Sequence, residues 1–371
     1  MRIGILTLPL HTNYGGILQA YALQTVLERM GHNAVVFDTD KRLNSPKSPL
    51  TYAKRIVMKL FRKNSIPVFY EKKKNKSYPI ISKHTQRFID RYVHSYIVNH
   101  LEDIKENDFD AIVVGSDQIW RPIYFRSPAW TKTEDAFLAF TKGWSIKRLS
   151  YAASFGVEHK EYTDQELQKC REALEKFDAV SVREDIAVSQ CLEYFGIKAK
   201  HVLDPTMLLD KEDYITLIQQ ESEPPSEGAL FEYILDVNPE KMEIIDKISH
   251  ELKLKRFAVK PVDKDRPEES IYPPVTAWLR AFMDAEFVIC DSFHGVVFSI
   301  IFNKPFLVIG NAKRGLARFN SLLKLFSLEE RMIANINEVD VYRKSIDWES
   351  VNITRVKLQK ESKDFLSVCL S

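Results

Sequence analysis

Several things are scarce in this sequence of 371 residues, and each scarcity removes a class of protein. Cysteine occurs four times, at Cys170, Cys191, Cys290 and Cys369, with no CxxC pair. That spacing argues against a disulfide framework or a structural zinc site. Twelve glycines and sixteen prolines are too few for a collagen-like or low-complexity chain. No apolar run approaches the roughly 18 residues a membrane-spanning helix needs. Charge of one sign is missing too: 53 basic residues face 51 acidic ones, for a formal charge of +2, so a dedicated nucleic-acid binder is not expected. The first residues, MRIGILTLPLHTNYGG, hold only a short apolar run leading into Pro, His and Asn. They read as a first strand rather than a signal peptide, with the cytoplasm as the expected compartment.

What is present is an α/β rhythm. Ile3–Leu8 reads as a strand, Ile17–Met30 as a helix stopped by Gly31, and Ala34–Phe37 as a second strand. Further strands are expected at Phe109–Gly115, Arg148–Ser154, Ala179–Val182 and His201–Leu203, with a helix over Gln165–Lys176. The Pro- and Ser-rich Glu221–Gly228 reads as a linker. After it, Ala229–Leu235, Arg256–Val259, Phe287–Cys290 and Phe306–Ile309 read as strands alternating with helices. The expectation is a first Rossmann-like domain over 1–222, with a basic insertion at 41–80, and a second over 223–345. A C-terminal helix over 346–371 would return to the first domain. Ligands in such folds sit at the carboxyl ends of the strands.

Four strand-end segments could carry chemistry. In Asp291-Ser292-Phe293-His294-Gly295 a polar turn follows the strand FVIC and opens a helix. Unpaired helix N–H groups suit an anion, and a histidine there can move a proton near neutrality. His294 could equally be a packed, hydrogen-bonded histidine, or with Cys290 a fragment of a metal site, although no metal set is expected. In Gly115-Ser116-Asp117-Gln118 small, acidic and amide groups suit hydroxyl recognition, or Asp117 caps a helix. Arg183 in SVRED offers a planar fork for a carboxylate or phosphate, or it pairs with Glu184 or Asp185. Asn13-Tyr14-Gly15-Gly16 allows an anion close to the backbone, or makes a tight turn. It is not GxGxxG, so the dinucleotide fingerprint fails despite Asp38.

Taken in order, NYGGILQAYAL, VVGSDQIW, SYAASFG, SVRED, VLDPTMLL and DSFHG…NKPF resemble the polysaccharide pyruvyl transferase family, from about Arg2 to about Asn311. The resemblance implies two Rossmann-like domains facing across a cleft, similar to glycosyltransferases of the B type, with the acceptor on the first domain and the donor on the second. It implies a transferase that moves the pyruvyl unit of phosphoenolpyruvate, as a ketal, onto a sugar of a surface polysaccharide (an exopolysaccharide or capsule) or its precursor. No cofactor is implied beyond that donor. His294 matches the family's general acid/base and Arg183 an arginine that holds the donor, while Asp117 would orient the sugar hydroxyls or act as base. Asn13, Gly15, Gly16, Ser116, Gln118, Ser292 and Gly295 would complete the site. Characterised members carry a second arginine where this chain has Ser292; Lys313, Arg314 and Arg318 are the candidates to replace it. Alternatives of the same architecture are a glycosyltransferase using a nucleotide sugar and a non-catalytic glycan-binding relative. Finally, Lys54–Lys76 holds nine basic residues against one acid. It reads either as a solvated insertion or as a contact with the inner face of an anionic membrane carrying a lipid-linked oligosaccharide acceptor.

Overall fold

The computed structural model describes residues 1–43, 48–60, 67–125, 130, 132–261, 270–310 and 315–371. Arg62, Lys63, Lys313 and Arg314 lie outside the described residues. The first half runs β1 (Arg2–Leu6), α1 (Tyr14–Arg29), β2 (Asn33–Asp38), α2 (Pro49–Leu60), α3 (Tyr70–Ile81), α4 (Lys83–Tyr92), β3 (Ser95–Ile97), β4 (Ala111–Val114), α5 (Pro122–Phe125), β5 (Lys147–Ala153), α6 (Asp164–Leu174), β6 (Ala179–Val182), α7 (Asp185–Gln190) and β7 (Lys200–His201). After α8 (Lys211–Gln220) the second half runs β8 (Leu230–Tyr233), α9 (Pro239–Leu252), β9 (Arg256–Phe257), α10 (Val275–Asp284), β10 (Phe287–Cys290), α11 (Phe293–Ile301), β11 (Phe306–Ile309), α12 (Ala317–Leu325) and β12 (Met332–Ile333), and α13 (Trp348–Leu370) closes the chain.

Each half is built on a parallel sheet. The first has the order β3-β2-β1-β4-β5-β6-β7, the second β12-β11-β10-β8-β9. The central strands AIVV, FVIC and FLVI are buried along their whole length. Strands covered on both faces need such continuous apolar runs. The two orders differ. The first follows the dinucleotide-fold pattern with an added edge strand, and the second the five-stranded pattern in which the first strand lies inside the second. In both, strand order reverses at one point, between β1 and β4 and between β8 and β10. Chain leaving neighbouring strands in opposite directions opens a crevice at their carboxyl ends, so topology alone marks two crevices.

The halves share a core. One buried cluster includes Ile5, Tyr14 and Leu23 from the first and Trp278, Phe282 and Phe298 from the second. Tyr14 stacks on Trp278 with ring centroids 5.6 Å apart and donates its hydroxyl to the Pro273 carbonyl at 3.0 Å. α13 packs on β5 and the Pro205–Leu208 turn. There Gln359 donates to the Leu208 carbonyl (2.9 Å), the Leu203 amide donates to Ser362 Oγ (3.1 Å), and Leu366 and Leu370 are buried. Among the described residues no helix is long and apolar enough to cross a membrane.

Candidate active site

The two crevices merge into one cleft of about 440 Å³, a size typical of small-molecule sites. From the first half it is lined by His11, Asn13, Gly15, Asp117 and Gln118, which follow β1 and β4. From the second come Ile234 and Leu235 after β8, Asp291, Ser292 and His294 after β10, and Arg318 on α12. The amino ends of α1 and α11 both open into it. Neither Asn13 nor Ser292, at the two cap positions, bonds a helix amide through its side chain. Two sets of N–H groups and two positive dipole ends therefore face the cleft.

His294 sits at the second position of α11, 7% exposed. Its ring lies so close to α1 that an added Cβ on Gly15 would stand 2.0 Å from Nδ1. Only glycine fits at residue 15 while the imidazole keeps this place. On its other edge, Nε2 stands 3.6 Å from Asp204 Oδ2. Asp204 is wholly enclosed. It caps the Pro205–Leu208 turn, accepting from the Thr206 amide (3.0 Å) and hydroxyl (2.6 Å). Ser116 Oγ donates to it at 3.2 Å and Arg183 Nη1 at 2.9 Å. Burial alone would raise this carboxyl, but His294 and the Arg183 charge outweigh it and hold it far below the ordinary carboxylate range.

Arg183, at the end of β6, is almost fully buried and does not line the cleft. Besides Asp204 it contacts Glu184 (3.2 Å) and Asp117 (3.8 Å), and its guanidinium carbon lies 4.3 Å from the centre of the Phe293 ring. Three carboxylates thus surround one guanidinium. The pairing expected with Glu184 is present, whereas Asp185 meets Lys324 and the amide of Ile186 instead. The other arginine, Arg318, does line the cleft, 5.9 Å from the same ring. Burial and the neighbouring Arg183 charge push its titration down to about 10.

Asp117 has φ = 64°, a left-handed backbone that aspartate tolerates better than most side chains. Its carbonyl accepts from the Ser154 amide at 3.1 Å, which fixes this bend and points the strand end at the cleft. Gln118 packs beneath Gly156, where a Cβ would stand 2.1 Å from Oε1. Ser116 is buried under the Asp204 carboxylate rather than open to the cleft. Gly16 and Gly295 are packing positions: a Cβ would press on Asn13 at 3.1 Å and on Cys290 at 2.8 Å respectively. Asp291 is tied down by the Leu235 and Asp236 amides (2.7 and 3.1 Å) and by Lys241 Nζ (2.6 Å), so it fixes the rim. The structure therefore brings His294, Asp117, Asn13, Gly15, Gln118, Ser292 and Arg318 to one cleft, and places Arg183 and Ser116 behind it.

Two site residues escape sequence reasoning. Asp204 lies in VLDPTMLL, where an aspartate before proline reads as a turn cap. His11 lies in LHTNYGG and reads as loop. Its Nδ1 accepts from the Thr12 amide at 2.7 Å, which leaves the proton of the neutral ring on Nε2. Enclosure by the cleft, with the charges of Lys41 and Lys74, lowers its titration below the ordinary histidine range. Among the described residues no group of three or more His, Cys, Asp or Glu could hold a metal ion.

A sequence model of the family described as "Polysaccharide pyruvyl transferase" matches residues 13–313. No curated protein matches the chain. Solved structures with a similar backbone include Alr3699/HepE of Anabaena in complex with UDP (10% identity, 99% of this chain and 100% of that chain, TM-score 0.49). The UDP-GlcNAc 2-epimerase of Methanocaldococcus jannaschii is comparable (11%, 96% and 99%, 0.48). An O-GlcNAc transferase mutant of Thermobaculum terrenum is matched over 100% of this chain and 66% of that chain (12%, 0.46).

Proposed function

Because the chain belongs to the polysaccharide pyruvyl transferase family, we propose that its cleft transfers the three-carbon unit of phosphoenolpyruvate onto two hydroxyls of one sugar, with His294 as general acid/base. The observation that carries this reading is the placement of His294. It stands on a helix amino end in a two-walled cleft, with a buried carboxylate 3.6 Å from Nε2.

The donor carries a carboxylate and a phosphate. The open N–H groups of α1 and α11 and the Arg318 guanidinium supply the matching positive field. The reaction needs a proton placed on the methylene carbon, which becomes a methyl group and leaves the adjacent carbon open to attack. His294 as imidazolium delivers that proton, and Asp204 stabilises the charged ring and holds its orientation. The first sugar hydroxyl bonds to the electrophilic carbon and gives its proton to the now neutral His294. The second displaces phosphate, breaking the C–O bond, and its proton leaves with the phosphate. One hydroxyl proton thus ends on the methyl group and the other on phosphate, so atoms and charge balance without a co-reactant. Asp117 orients the hydroxyl pair from the opposite wall.

The test is His294→Ala, assayed with donor and sugar acceptor for phosphate release and ketal formation. Turnover should fall by ~10²–10⁴-fold, while the thermal shift given by phosphoenolpyruvate persists. Near-normal turnover in the folded variant would remove the role. Stabilisation by a nucleotide sugar and none by phosphoenolpyruvate would overturn the donor.

A further inference from the structure

Helix α2, paired with α3, carries an apolar strip on its exposed side. A helix on a soluble surface turns its apolar stripe inward and its charges outward. Among the half-buried residues of α2, which include Tyr52 and Met58, is a charge: Arg55 donates to both oxygens of Glu71 on α3 (2.7 and 2.8 Å) and to the Val68 carbonyl (3.1 Å). This pair holds the Glu71 carboxylate down to about 2. The outward residues include Leu50, Ala53, Ile56 and Val57, spaced so that they share one side of the helix. Leu50 is 78% exposed and Val57 50%. Phe69, between the helices, is 63% exposed, with its ring tilted against Tyr52 of α2. Beside them on α2 stand the exposed Lys54 and Lys59, and the one acid between residues 54 and 76, Glu71, is bonded to Arg55.

We infer that this face docks on a bilayer rich in anionic lipid, lysines against headgroups and the Leu50–Val57 side among the upper acyl chains. A helix that carries exposed Leu50, Ile56 and Val57 with Lys54 and Lys59 beside them fits this occupant on both counts. A soluble polyanion would satisfy the lysines and leave the apolar groups in water. The hairpin also adjoins the cleft. The Ile81 carbonyl accepts from the amide of the cleft residue Tyr272 (2.9 Å), and Lys74 acts electrostatically on His11. A docked enzyme therefore holds its cleft beside the membrane, where an acceptor carried on a lipid would be presented. The docking itself does not depend on which reaction the cleft performs.

Co-sedimentation of the full chain with phosphatidylglycerol–phosphatidylcholine vesicles, against phosphatidylcholine alone, tests this. Binding is expected on the anionic vesicles only, weakening as salt screens the charges. Lys54→Glu with Lys59→Glu should lower it by about tenfold or more. Leu50→Ser with Val57→Ser should lower it at unchanged salt dependence. Thermal unfolding of each variant, taken without ligand, checks that the fold persists. No binding to anionic vesicles at low salt overturns the proposal. Binding indifferent to the Leu50/Val57 change also overturns it, in favour of a polyanion. Loss of the phosphoenolpyruvate response would instead count against the donor reading and leave the docking result standing.

Discussion

The two walls of the cleft use their arginines in opposite ways. On the first wall Arg183 is shut behind the surface among Asp117, Glu184 and Asp204, its charge answered from within the protein. On the second wall Arg318 is nearly as buried, yet it faces the cleft, and its proton is held less tightly than in an ordinary guanidinium. The difference separates two jobs that one residue type does from strand and helix ends. A cation ringed by three carboxylates fixes those carboxylates in space, including the one beside His294. A cation that lines the cavity itself stands where an anion entering the cleft would meet it.

The sharpest way to break the comparison is to remove each guanidinium while keeping its bulk. Arg183→Met should lower stability by about 3–5 kcal/mol, since it leaves buried carboxylates uncompensated, and denaturant unfolding will show it. Next comes the interlock between the walls. Gly15→Ala must displace His294, and a shift of about 1 Å at a reacting group can cost on the order of 10²-fold in rate; kcat should drop with phosphoenolpyruvate affinity largely kept. Arg318→Met should weaken phosphoenolpyruvate binding by about 1.5–3 kcal/mol, the worth of a charged hydrogen bond, read by calorimetry. Ser292→Arg added to that variant should restore part of the affinity; if it does not, the two positions do not serve the same anion. The smallest effect is with pH. Asp204 titrates lower folded than unfolded, so its contribution is complete above its unfolded value of about 3.9 and is lost only as pH falls below that. Thermal scans of wild type should therefore be flat on this account from neutrality to about pH 4 and decline in stronger acid, and Asp204→Asn should remove that component of the decline.

Much of this arrangement is legible from residue order because the strands that carry it are buried on both faces. Phe287–Cys290 and Ala111–Val114 are unbroken apolar runs ended by polar turns, and those turns supply Asp117, Gln118, Asp291, Ser292, Phe293 and His294 to the cleft's lining. Two strands without that signature are not legible. β3 is a half-exposed edge and β12 is two residues long. The likeness expected between the halves is also only partial, since strand order is set by how crossovers pack and no local pattern records it. The same reason hides the environment of Arg183. Its neighbour Glu184 is visible in the sequence, but Asp117 and Asp204 reach it only because β4, β6 and β7 end on one side of one sheet. Sequence places the arginine at a strand end, and tertiary structure sets three carboxylates around it.

The return of α13 to the first half bears on how the molecule is made. Leu366 and Leu370 complete packing begun by residues some two hundred positions earlier. A ribosome therefore releases the first sheet with part of its greasy back uncovered, and residues 348–370 must emerge before that surface is sealed. The amino-terminal half, which in many two-domain chains settles during translation, here waits for the closing helix, and a nascent chain stalled before Trp348 is the form that chaperones would be expected to hold.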